Sequence, residues 1–182
     1  RIAIPQTDLD DLADRLARTR LPRPAPGDDW DAGTPNHWLA EAVAHWRTAF
    51  DWRAVERRLN ALPQFVTEID GQDLHFLHVE SPVPGATPLL LLHSYPGSVL
   101  DFLDVVGPLT DPAAHGGDPA RAFSVVVPSL PGFGFSAPLA ERGWTTARTA
   151  RAMDALMRRL GHDSYGVHGS DVGANVAREI GL

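Results

Sequence analysis

The chain has 182 residues and a formal net charge of −7, with 43% hydrophobic and 21% charged residues. That length suits one ordinary domain or slightly more, and the balance excludes a disordered chain, which needs low hydrophobicity and high net charge. The acidic charge disfavours nucleic acid as a partner, because phosphate binding needs a basic face. The absence of cysteine excludes disulfides, thiolate metal sites and a cysteine nucleophile, and it suits a reducing compartment such as the cytoplasm.

Residues 1 to about 65 read as a helical segment. Thr7, with Asp10 three residues on, has the form of a capping box, and Leu9, Leu12 and Leu16 follow at helical spacing. The Pro-rich run Leu21 to Gly27 should end that helix. Thr34-Pro35 suits the start of a second helix, with Trp38, Leu39, Ala42, Trp46 and Ala49 on one face. Asp51 is placed to cap a third, bearing Val55 and Leu59 and stopping near Pro63. Trp30, Trp38, Trp46 and Trp52 are expected in the core of this segment, the commonest place for aromatics at helical spacing.

Residues 66 to 182 then change period. Val66–Ile69 and Leu74–Val79 alternate around Asp70-Gly71, the signature of a hairpin. His75 and His78 read as ordinary strand residues, because nothing near them supplies a third metal ligand; neither a metal nor a cofactor is expected. Buried strands are expected at Leu89–Leu92, Phe123–Val127 and Tyr165–His168. A helix from about Thr146 to Leu160 should lie between the last two, with Gly161 as its stop. Strands alternating with helices imply an α/β fold with a mostly parallel sheet, whose ligands sit outside the carboxyl ends of the strands. The longest apolar stretch, Leu89–Leu92, is far too short to span a bilayer. The chain begins at Arg1 rather than Met, which leaves an upstream segment open, an anchor included.

Three strand-end loops carry the chemistry. The last reads His168-Gly169-Ser170-Asp171-Val172-Gly173-Ala174 and leads into a helix expected near Asn175. A nucleophile elbow turns so sharply that the residues two before and two after the nucleophile must be small. Ser170 would be flanked by His168 and Val172, whereas Asp171 is flanked by Gly169 and Gly173. The register therefore selects Asp171 as the nucleophile of an α/β-hydrolase. A carboxylate with an ordinary pKa of about 3.9 is already ionised at neutral pH and needs no base for the attack. Attack on a carbonyl would give an anhydride that reverts, whereas attack on a saturated carbon gives an ester that water can cleave. The expected substrates thus carry an sp3 electrophile, an epoxide or an alkyl halide.

The loop His93-Ser94-Tyr95-Pro96-Gly97-Ser98 is the expected source of an oxyanion hole, from the backbone N–H groups of Tyr95 and Val172. The remaining loop, Pro128-Ser129-Leu130-Pro131-Gly132-Phe133-Gly134-Phe135-Ser136, is turn-rich, and Phe133 and Phe135 could supply apolar wall. Together with His93 and Pro96 they form the expected substrate pocket.

The Pro-Gly-Phe-Gly-Phe-Ser run, the His-x-x-Pro-Gly-Ser loop and an elbow built on aspartate resemble the epoxide hydrolases of the microsomal type. Phe50-Asp51-Trp52-Arg53, Leu59-Asn60, Phe65 and Ile69-Asp70-Gly71 resemble that group's N-terminal domain, so the likeness spans nearly the whole chain. It implies an α/β-hydrolase fold and conversion of a small apolar or aromatic epoxide to a vicinal diol through an ester on Asp171, in detoxification or secondary metabolism in a bacterial cytoplasm. It also implies a lid with two tyrosines, a late histidine base and an acid that orients it. All of these follow the nucleophile, so the chain, ending at Leu182, reads as the front part, and the remainder of the hydrolase core is needed for turnover. A homo-oligomer is compatible with this reading. The group usually has Gly in place of Ser94 and Trp in place of Val172; dehalogenases of this fold hold the halide with that Trp, so Val172 favours an epoxide. The alternatives are a hydrolytic haloalkane dehalogenase using the same Asp171, and a non-catalytic binding protein on the same fold.

Overall fold

The computed structural model describes residues 1–27, 29–31 and 33–182. They form two compact units, Arg1–Arg58 and Leu59–Leu182.

The first unit is helical: α1 (Gln6–Ala17), α2 (Asn36–Thr48) and the start of α3 (Trp52–Asn60). Two start signals fall differently from expectation. Pro5 stands immediately before α1 in extended conformation (φ −57°, ψ 146°), so the helix begins at Gln6 and Thr7 lies inside it rather than capping it. Pro35 in turn is the last extended residue, and its carbonyl accepts the Leu39 N–H at 3.1 Å. Asp51 does cap α3, its Oδ1 accepting the Ala54 N–H at 3.1 Å. The aromatic core expected here does not form. Neither α1 nor α2 buries a residue, and Trp30, Trp38 and Trp46 are exposed. Trp30 and Trp38 meet edge to face at 5.7 Å, while Trp46 and Trp52 line an open apolar cavity of 340 Å³ with Leu12 and Phe50.

The second unit carries a five-stranded sheet: β1 (Gln64–Ile69), β2 (Gln72–Val79), β3 (Thr87–Leu92), β4 (Phe123–Pro128) and β5 (Gly166–Gly169), in the order β1-β2-β4-β3-β5. Asp70 (φ 54°) and Gly71 (φ 73°) make the two-residue turn of the expected hairpin. The sheet is mixed rather than mostly parallel over this stretch. β3 pairs in parallel with β4 and β5, whereas β2 runs antiparallel to both β1 and β4. The hairpin is joined by two residues, which forces antiparallel pairing, while the β3–β4 and β4–β5 crossovers are long enough to return in parallel.

Helix α4 (Leu103–Thr110) packs on β4; it has no counterpart in the sequence reading, since Gly107 and Pro108 interrupt its short pattern. The helix α5 (Thr146–Arg159) is capped by Thr145, whose Oγ1 accepts the Arg148 N–H. It ends in a Schellman motif: the His162 N–H donates to the Met157 carbonyl and that of Gly161 (φ 87°) to Arg158. Its Ala150, Met153, Leu156 and Met157 bury against Leu74, Phe76, Leu90, Leu92 and Val126 of the sheet and Val176 of α6 (Val172–Ile180).

This order fixes where a site can form. From β3 the chain crosses to β4 on one side, and from β4 it returns to β5 on the other, so the strand order switches at the carboxyl end of β3. Such a switch point opens a crevice between diverging loops.

Candidate active site

The register brings two of the loops together. Leu92 pairs with Gly169, so the residues after β3 and those after β5 emerge side by side. At this point the Tyr95 N–H donates to Asp171 Oδ2 at 2.8 Å, although the two residues lie 76 apart in sequence.

Asp171 stands on a strained turn. Its φ of 49° and ψ of −118° lie where a non-glycine residue rarely goes, a feature that clusters at functional sites. The flanking glycines explain how the turn is accommodated. A Cβ on Gly169 would strike the Gly173 carbonyl and stand 2.9 Å from the Ala174 nitrogen; one on Gly173 would strike the Leu92 carbonyl oxygen and lie 2.7 Å from that of His93. Strand end, helix start and β3 thus touch backbone to backbone. α6 begins at Val172 rather than near Asn175, because Asp171 is itself the N-cap residue and its carbonyl already accepts the Asn175 N–H.

The Asp171 carboxylate is exposed. Its pKa lies below the ordinary value, first through the Tyr95 N–H and then through that of Val172. The Tyr95 N–H, one of the two expected in an oxyanion hole, is thus directed at an Asp171 carboxylate oxygen. Tyr95 presents its ring to solvent beside Pro96, and the Tyr95–Pro96 peptide is cis.

His93 is fully buried beneath this loop. Its Nε2 accepts the Leu130 N–H at 3.0 Å, so the ring proton sits on Nδ1 and donates to the Ser94 carbonyl at 2.9 Å. Both nitrogens are committed, which makes His93 a strut rather than a base. Phe133 meets the His93 ring edge-on at 5.4 Å and that of Tyr95 at 6.2 Å. The structure therefore gathers Asp171, Val172, Tyr95, His93 and Phe133. It does not bring Phe135 to them: that ring packs on His75 at 5.0 Å and lines a separate open cavity with Val66, Gln72 and Asp73.

Sequence reasoning missed the residues that hold the Phe133 loop. His75 on β2 is buried and bonded through Nδ1 to Ser129 Oγ and through Nε2 to Gln64 Oε1, both at 3.0 Å. Buried Gln72 donates to the Ser136 and Pro138 carbonyls and accepts from the Ala140 N–H at 2.8 Å. No local pattern signals such pairs: His75 and Gln64 lie 11 residues apart, and the other partners 54 to 68. No group of three or more residues that could hold a metal ion occurs among the described residues, and no helix among them is long and apolar enough to cross a membrane.

A strand, a sharp glycine-flanked turn that displays an exposed carboxylate, and a helix, set at the switch point, have the arrangement of an α/β-hydrolase, and residues 87–180 match the α/β-hydrolase fold family model. Residues 1–102 match the model for the epoxide hydrolase N terminus; the chain belongs to the epoxide hydrolase family.

Among its relatives is a Stigmatella aurantiaca protein that bears a provisional epoxide hydrolase name, 47% identical over 180 residues, covering 99% of this chain and 41% of the relative. Epoxide hydrolase 1 of Oryctolagus cuniculus is 38% identical over 177 residues, covering 95% of this chain and 39% of that protein. The solved structure of Aspergillus niger epoxide hydrolase superposes with a TM-score of 0.86 at 35% identity, over 100% of this chain and 48% of that one. The juvenile hormone epoxide hydrolase of Bombyx mori gives 0.85 at 31%, over 99% and 48%. The chain thus spans about two fifths of the length of the curated relatives it matches.

Proposed function

We propose that the full-length protein is an epoxide hydrolase in which Asp171 opens the ring. The observation that carries this reading is the strained, ionised Asp171 carboxylate held by the Tyr95 N–H at 2.8 Å. One carboxylate oxygen attacks an epoxide carbon, the ring C–O bond breaks with its electron pair going to the ring oxygen, and that oxygen takes a proton from an acidic hydroxyl, the part proposed for the lid tyrosines, to become a hydroxyl; the proton that the base later takes from water restores that acid. The product of this step is an ester on Asp171. Water, deprotonated by a general base, then adds to the ester carbonyl, and collapse of the tetrahedral intermediate releases a vicinal diol and restores the carboxylate.

The Tyr95 and Val172 N–H groups serve both halves. They stabilise the ionised nucleophile at the outset and the oxyanion of the tetrahedral intermediate in the second step. His93 has no nitrogen to spare as the base. The apolar face formed by Phe133 and Tyr95 suits an apolar or aromatic epoxide. The cysteine-free composition suits a reducing compartment, and the cytoplasm is the location proposed.

Brief exposure of the full-length protein to an aryl epoxide, quenched in acid and followed by peptide mass mapping, tests this. The expected result is the mass of one epoxide on the peptide containing Asp171, absent from Asp171→Asn in freshly prepared protein. Diol production by Asp171→Asn at the parental rate would remove the assignment.

A further inference from the structure

The loop Pro128–Ser136 leaves β4, which lies between β2 and β3 in the sheet. Each neighbouring strand sends one buried imidazole to it, and each imidazole offers a lone pair. His93, just past β3, accepts the Leu130 N–H on Nε2. On β2, the Nε2 of His75 faces a side-chain carbonyl, Gln64 Oε1, which can only accept. The proton of His75 therefore sits on Nε2, and Nδ1 is left to accept the Ser129 hydroxyl. The two rings hold opposite tautomers and grip consecutive residues.

The backbone of His75 adds to the grip. Its carbonyl accepts the Ser129 N–H at 2.8 Å, and its N–H donates to Ser136 Oγ at 3.0 Å. Ser136 Oγ in turn donates to the Ser129 carbonyl at 2.7 Å. The two ends of the loop are thereby tied to one strand residue and to each other. The turn they enclose is closed by the Gly132 N–H on the Ser136 carbonyl and the Phe133 N–H on that of Leu130. Phe133, the ring that meets Tyr95 beside the nucleophile, rides on this turn.

We propose that His75 is a positioning residue for the apolar wall of the site: with His93 it clamps Ser129 and Leu130 between two imidazole lone pairs and so sets where Phe133 stands. The role deepens the epoxide hydrolase reading and rests on it for its effect on substrate. His75 touches no reacting atom, and it acts through Ser129 and Ser136. A substrate whose binding uses the aromatic wall feels the clamp, and one too small to reach it does not. A wall contact used equally in the ground and transition states, when lost, raises KM and leaves kcat unchanged.

The test uses the full-length protein, with His75→Leu, which removes the lone pair at similar volume, and His75→Asn, whose Oδ1 restores an acceptor near the position of Nδ1. Two readouts are taken. Amide hydrogen exchange at Ser129, Leu130, Gly132, Phe133 and Ser136 should speed at least about tenfold in His75→Leu and stay near parental in His75→Asn. For an aryl epoxide, KM should rise about tenfold in His75→Leu with kcat within about twofold, while KM for a two- or three-carbon aliphatic epoxide stays put. Equal KM shifts for both epoxides, or an Asn variant as impaired as the Leu variant, would overturn the positioning role.

If the parental protein consumes no epoxide, the catalytic reading fails, yet the exchange arm still decides the clamp: unchanged protection in His75→Leu sinks it. Should His75→Leu not fold, Ser129→Ala deletes only the hydroxyl donor and carries both readouts with the same expected outcomes.

Discussion

Gly173 shows how little room the elbow leaves. A methyl group on its α-carbon would strike the carbonyl oxygen of Leu92, which ends β3, and crowd that of His93, so it must displace backbone. Gly173→Ala is expected to lower stability by about 3 kcal/mol, the upper end for overpacking, because carbonyls at a strand end cannot move aside as a flexible side chain can. Chemical denaturation of the two proteins measures this, and a loss below about 1 kcal/mol would show that the first turn of α6 can slide. His75 gives a pH signature. Burial lowers its pKa from 6.5 to about 4. The unfolded chain therefore takes up the proton first as the pH falls. Stability is full above about pH 6.5 and declines between there and pH 4, by at most about 3 kcal/mol. Denaturation midpoints at pH 7 and pH 5 should drop less in His75→Asn than in the parent. The carboxylate of Asp171 works in the same direction at lower pH: its lowered pKa supports folding above the unfolded value and ceases to do so as the pH falls through the folded one.

The helix α5 illustrates at the level of elements what local sequence can dictate. Its N-cap, its apolar stripe and its glycine stop are all local signals, and the helix runs from Thr146 to Arg159 much as those signals imply. Met153 lies at the centre of its buried face with no exposed surface. Met153→Ala is expected to cost about 2–5 kcal/mol through lost burial and the cavity left behind, as read by thermal or chemical unfolding. The sharp turn at Asp171 is equally legible, since its flanking glycines lie two positions away on either side. The hairpin at Asp70-Gly71 follows for the same reason. What escaped the sequence was non-local or weakly patterned. α4 is eight residues long with Gly107 and Pro108 inside it. Trp30, Trp38 and Trp46 are exposed, which helical spacing cannot express. The Gly- and Pro-rich path of the loop Pro128–Ser136 suggests a wall from both Phe133 and Phe135, but the two rings meet different neighbours, His93 and His75.

Across the whole molecule, burial is distributed unevenly between the two units. Strands β3 and β4 contain Leu90, Leu92, Val125, Val126 and Val127 with no exposed surface, whereas α1 and α2 bury nothing. Local opening is cheapest where little apolar area is enclosed. Hydrogen exchange followed by mass spectrometry should therefore label 6–17 and 36–48 well before 89–92 and 123–128, by at least about two orders of magnitude in time. Simultaneous labelling of both sets would mean that the helices are as strongly held as the sheet.

The positive φ at Asp171 has a consequence for how such centres diversify. The bend is enforced by contacts among backbone atoms of β3, β5 and α6, and none of them depends on which side chain the bend displays. The fold therefore offers a socket that is indifferent to its occupant. Under the role proposed for Asp171, a hydroxyl in its place would keep the socket and leave the attacking group dependent on a neighbouring base for activation. On that reading, the group that the bend displays, and not the bend itself, sets the class of reaction.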